Sequence, residues 1–169
     1  MDLDIVLINR KHNLKHYAGL SLQTALVYLV FICGLFSVPA AKLIAEKMSE
    51  MEVERGVIGE TSVTLDIVES NEERAKGLSG VVSMPKNHGM LFIFEKSASY
   101  GMWMKEMNFS LDIIWLNQFS EIVHIEKNVS PDTFPKVFSS PTPARFVLEF
   151  NAGFVDRNHI KMGDKFVLF

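Results

Sequence analysis

Asp112 and Glu149 are the residues whose type best suits catalysis, because a glycosidase needs one carboxyl to protonate the leaving group and a second to act as nucleophile or base. Nothing in the spacing fixes their separation. Lys105 is equally able to neutralise either one, and a buried ion pair of that kind serves orientation as readily as chemistry. Period-two bookkeeping places Trp103 and Lys105 on one strand face with Gly101, while Met102 and Met104 share the other. On the run 144–152, Phe146, Leu148 and Phe150 share a face, which leaves Arg145, Glu149 and Asn151 together opposite them. A mixed polar and aromatic face is either solvated and salt-bridged, the simpler reading, or the floor of a ligand site.

His124 and Glu126 lie two apart on a strand-like run and face the same way, as metal ligands can, but two ligands do not make a site. His88 and His159 fall in loops without ligand-like spacing and read as surface residues. No metal and no cofactor is therefore expected. The chain has no Gly-rich phosphate loop, no GxSxG elbow and no Cys–His nucleophile pair. Its single cysteine, Cys33, lies in an apolar stretch, which excludes a disulfide framework and dithiol redox chemistry. A formal charge of −3 supplies no field that would attract nucleic acid. Asn108-Phe109-Ser110 and Asn128-Val129-Ser130 fit the glycosylation pattern and receive no role.

The elements that must position these residues begin outside the soluble part. Residues 17–38, from Tyr17 to Val38, carry no charge and as a helix would span about 33 Å, enough for a hydrocarbon core of about 30 Å. This predicts a transmembrane helix, with the lipid bilayer as partner. A cleaved signal peptide is the alternative, with Val38-Pro39-Ala40 as a weak cleavage site, but the apolar region is longer than such peptides carry. Arg10, Lys11 and Lys15 precede the span while only Lys42 and Lys47 closely follow it, so residues 1–16 are expected in the cytoplasm and the rest outside. Residues 39–60, rich in Ala, Glu, Lys and Met, read as a juxtamembrane helical stalk ending near Gly56.

From Thr61 the period changes to two. Strands are predicted at 61–70, 89–94, 100–107, 111–117, 121–129, 144–152 and 165–169, with a short helical turn capped by Asn71. Short connections and the lack of a crossover helix after residue 89 imply antiparallel pairing. The Pro-rich stretch 130–143 reads as a long loop. The expectation is one all-β extracytoplasmic domain over 61–169.

In order along this domain stand RAKGL at 74–78, GMLFIF at 89–94, MWMK at 102–105, LDII at 111–114, VLEFNAG at 147–153 and Gly163-Asp164. Together they resemble the family called domain of unknown function 192. The resemblance implies an antiparallel β-sandwich of jelly-roll type with one or two short helices, often exported or membrane-anchored, and no established activity. It marks Arg74, Gly77, Leu78, Trp103, Lys105, Asp112, Glu149, Asn151 and Gly153. The chain departs from the family pattern at Ser79 to Val82 and at Glu106-Met107.

Arg74, Trp103, Lys105, Asp112 and Glu149 are accordingly expected to converge on one ligand-binding patch. The function expected is that of an anchored, non-catalytic binding or accessory module whose extracytoplasmic ligand is a glycan or a protein. The alternatives are a glycan hydrolase using Asp112 and Glu149, and a structural subunit of a membrane complex.

Overall fold

A computed structural model describes residues 53–169. The expected spanning helix at 17–38 lies outside those residues, as does most of the expected stalk. Among the described residues no helix is long and apolar enough to cross a membrane.

The elements are β1 (Glu54–Ile58), β2 (Thr61–Val68), α1 (Asn71–Lys76), β3 (His88–Ala98), β4 (Gly101–Trp103), β5 (Leu111–Leu116) and β6 (Ile122–Val129), followed by a 3-10 turn at Pro131–Thr133. Then come β7 (Val137–Ser139), β8 (Ala144–Asn151), α2 (Phe154–Arg157) and β9 (Phe166–Leu168). Seven strands form one sheet in the order β6-β5-β8-β3-β2-β1-β9, and β4 pairs with β7 in a separate ribbon. The sheet curls until its edges meet. Glu121 bridges Lys165, Ile122 N donates to Asp164 O at 2.9 Å and Phe166 N donates to Ser120 O at 2.9 Å.

Three features correct the sequence reading. First, the domain is mostly β with two short helices, as expected, but its main sheet is curled and mixed and not wholly antiparallel, because β2 and β3 run parallel, Thr64 opposite His88 through Val68 opposite Phe92. Parallel neighbours need a long crossover, and residues 69–87 with α1 supply it. Second, residues 54–58 form β1 where the end of a helical stalk was expected. Ile58 is fully buried and β1 pairs with both β2 and β9, so long-range pairing overrides helix-favouring composition. The β1–β2 hairpin turns at Gly59, whose φ of +58° suits glycine. Third, the Pro-rich stretch is not loop throughout, since it contains β7.

Two apolar cores lie on the two faces of the sheet. One draws on all seven strands and includes Ile58, Leu65, Leu91, Ile114, Leu148 and Phe166. Phe154 of α2 joins it, stacked on Phe150 with ring centroids 3.9 Å apart. The other includes Phe92, Ile113, Trp115 and Val147 and is covered by Leu78 and by Met102 and Phe138 of the ribbon. This double coverage explains why all six residues of β5 are buried, as expected for a strand packed on both faces. Trp115, fully buried, keeps its indole N–H satisfied by donating to Tyr100 O at 3.1 Å.

Candidate functional site

Glu149 sits in the middle of the sheet, opposite Met90 of β3 and Ile113 of β5. Residues paired in this way point to the same face, so its carboxyl faces the second core. It is 4 % exposed, and no described residue makes a hydrogen bond or ion pair with it. Burial alone pushes the carboxyl up to about 8. Glu149 lines a cavity of about 220 Å³ whose walls include Leu78, Phe92, Phe94, Met102, Trp103 and Met107.

The rim is built by α1 and the turn that follows it. Ser70 caps α1 in place of the expected Asn71: its hydroxyl accepts from Glu73 N at 3.1 Å, and Glu73 Oε2 accepts from Ser70 N at 2.9 Å. These bonds hold the Glu73 carboxyl below its ordinary range. Asn71 Oδ1 is left to accept from Arg74 Nη2 at 2.6 Å. Arg74 Nη1 also donates to Ile93 O at 2.8 Å and to Glu69 O, and the guanidinium lies 5.0 Å from the centre of the Phe94 ring. Arg74 is thus held over an aromatic wall of the cavity. Helix α1 ends at Gly77, where φ is +48° and a Cβ would stand 3.3 Å from Phe92 Cζ. Glycine lets the chain turn there and brings Leu78 and Ser79 onto the cavity.

Of the five residues expected to converge, Arg74, Trp103 and Glu149 line this cavity. Lys105 does not. Its side chain is 53 % exposed and lies 3.9 Å from Glu106, and β4 stops at Trp103 instead of running to 107. Asp112 does not either, because it pairs with Phe150 and therefore occupies the face opposite Glu149. Fully buried, its Oδ1 accepts from Asn128 N at 2.9 Å and its Oδ2 from Val155 N at 2.9 Å. It ties β6 and α2 to β5. The two carboxyls therefore stand on opposite sides of the sheet and cannot flank one glycosidic bond.

Other singled-out residues have local partners. Asn151 Nδ2 donates to Met84 O at 2.8 Å and so pins the 80–87 loop, and Gly153 takes a φ of 79° at the start of α2. His88 begins β3 instead of lying in a loop; it bonds Thr64 Oγ1 at 2.9 Å and Asp66 Oδ2 at 3.0 Å. His124 lies 3.2 Å from Glu126 and beside the Trp115 ring. No group of three or more His, Cys, Asp or Glu among the described residues is arranged to hold a metal ion. Sequence reasoning missed the walls Phe92, Phe94 and Met102. Their strand spacing signals burial but not which buried side chains border a void.

No curated protein matches the chain. A protein of unknown function from Novosphingobium aromaticivorans DSM 12444 is similar in structure, with a TM-score of 0.64 and 25 % identity over 68 % of this chain and 84 % of that one. A crystal structure from Sinorhizobium meliloti 1021, whose description provisionally names a transcription regulator, matches with a TM-score of 0.66 and 29 % identity over 69 % of this chain and 93 % of that one. The model of an uncharacterized ACR family matches residues 53–168, most of the chain and nearly all of the described domain, and the chain belongs to that family, DUF192.

Proposed function

We propose that this chain is a membrane-anchored binding module held outside the cytoplasm, and that its ligand occupies the cavity formed by Arg74, Trp103 and Glu149. The observation that carries the reading is Glu149: a carboxyl 4 % exposed, without a partner among the described residues, at the wall of a cavity. Buried polar groups in folded proteins are almost always satisfied, and an exception inside an apolar pocket is a functional candidate. Arg74, fixed over Phe94, and the half-exposed Trp103 add an oriented cation and a stacking surface. The uncharged stretch 17–38 and the cations before it support the anchor and its orientation. A hydrolase is less well supported, because Glu149 is the only carboxylic side chain on the cavity among the described residues.

The test is a fragment screen by ligand-observed NMR on the full-length chain in detergent. Hits are expected to be lost in Arg74→Met and in Trp103→Ala and kept in Lys105→Ala. A screen without hits, or hits indifferent to Arg74 and Trp103, overturns the assignment of the site. An enzymatic reporter fused after Phe169 is expected to be active outside the cytoplasm, and activity only inside overturns the topology.

A further inference from the structure

The charges around the cavity are unbalanced. Arg74 and Lys76, both from α1, line it, and the only acid among the described residues that does so is Glu149. Glu73 of the same helix is engaged by the backbone N–H groups of Glu69 and Ser70. The other elements packed around Glu149 present no titratable group to the cavity: β3 offers Phe92 and Phe94, β4 offers Met102 and Trp103, and β5 places Ile113 beside it. A guanidinium has five N–H donors, and Arg74 uses three of them, on Glu69 O, Ile93 O and Asn71 Oδ1. Two remain, enough to grip a carboxylate.

The size of the cavity narrows the ligand further. A void of roughly 150 Å³ admits a benzene-sized molecule. The cavity of about 220 Å³ therefore accommodates one ring and a small substituent. Its apolar and aromatic walls suit such a ring, and the carboxyl of Glu149 is left to satisfy a polar atom of the ligand.

Resting on the binding-module reading, we infer that the ligand is a small organic anion, a carboxylate on a single ring or a chain of similar size, its charge on Arg74 and Lys76 and a hydrogen-bond acceptor on the Glu149 carboxyl. The proton that burial retains on Glu149 acts twice: it keeps the cavity free of a repelling negative charge, and it makes the carboxyl a donor. Deprotonation therefore works against binding on both counts.

Three probes with one ring and different charge test this on the full-length chain: 4-methoxybenzoate, 4-methoxybenzyl alcohol and 4-methoxybenzylamine, followed by tryptophan fluorescence and by NMR titration. The benzoate is expected to bind tightest near pH 6.5. Its affinity is expected to fall about tenfold by pH 9, since Glu149 releases its proton at about 8. Glu149→Gln, which cannot ionise, is expected to abolish this pH dependence, so that whatever benzoate affinity the variant has is the same at about pH 6.5 and about pH 9. Arg74→Met is expected to weaken the benzoate at least about tenfold and the alcohol little. If the benzylamine binds tightest, or benzoate affinity is flat across that range in the unsubstituted chain, the anion assignment falls while the cavity remains a binding site. If none of the three perturbs Trp103 or the cavity residues, the anion assignment and the binding-site reading fall together.

Discussion

Replacing Glu149 with glutamine should stabilise the domain, by an amount that grows with pH. The carboxyl ionises near 4.5 in an unfolded chain, whereas burial moves it to about 8 in the folded domain. A raised carboxyl opposes folding wherever the unfolded chain has released a proton that the folded domain retains. The cost is absent below pH 4.5, grows between 4.5 and 8, and levels off above 8. At about 1.4 kcal/mol per pH unit it comes to about 1 kcal/mol near pH 5, about 3 at pH 7 and about 5 at pH 9. Glutamine has nearly the same volume and cannot ionise, so Glu149→Gln removes this cost. Denaturant unfolding followed by fluorescence measures the difference, because Trp103 and Trp115, the chain's two tryptophans, both lie in the described domain. The expected result is a variant indistinguishable from its parent below about pH 4.5 and increasingly more stable above it. A variant less stable than its parent at about pH 7 would mean that Glu149 has a stabilising partner, and the reasoning would be refuted.

Asp112 should behave in the opposite way. Asp112→Ala strands the N–H groups of Asn128 and Val155 and is expected to cost about 3 to 5 kcal/mol in urea unfolding, with the cavity residues unmoved by NMR. A loss under about 1 kcal/mol contradicts the tie between β6, α2 and β5. The domain should also need β1: residues 53–169 are expected to fold alone as a β protein, whereas a fragment starting at residue 61 loses the strand that joins β2 to β9. Ile58 alone, fully buried, contributes about 2 to 5 kcal/mol, a large share of a total of about 5 to 15. Cooperative thermal unfolding of the shorter fragment would contradict this.

What can be read from the sequence depends on how local each determinant is. The strands at 111–116 and 144–151 are legible because hydrophobic pattern and parity are local, and parity alone places Glu149 opposite the apolar set Phe146, Leu148 and Phe150. The face taken by Asp112 depends on its register against Phe150, and its partner Val155 lies far along the chain, so neither is visible in the run LDII. Strand β1 hides in a Glu- and Met-rich segment because what makes it a strand is its pairing on both sides, with β2 next to it in the chain and with β9 at the other end of the domain. β7 is masked by the prolines around it and exists through its pairing with β4. The parallel β2–β3 pair escapes for a related reason: α1 is too short to announce a crossover, although the chain around it is long enough to make one. The cavity follows from the same long-range choices, since it lies where α1, the ribbon and the sheet fail to close completely over Glu149.

The pairing of β1 with β9 has a consequence for how the domain is connected to anything else. Phe169 N donates to Arg55 O at 2.9 Å, so the first and last strands leave the domain side by side. The domain is a near-closed loop of chain, and a short linker between residues 169 and 53 would complete the circle. Reopening it in the tight turn at Asn117–Ser120, between β5 and β6, is expected to give a circular permutant that keeps the strand pairs and moves the attachment point to that turn. The backbone therefore enters the described domain at β1 and reaches its last residue at one and the same edge, so a tag or fusion added after Phe169 starts beside Arg55.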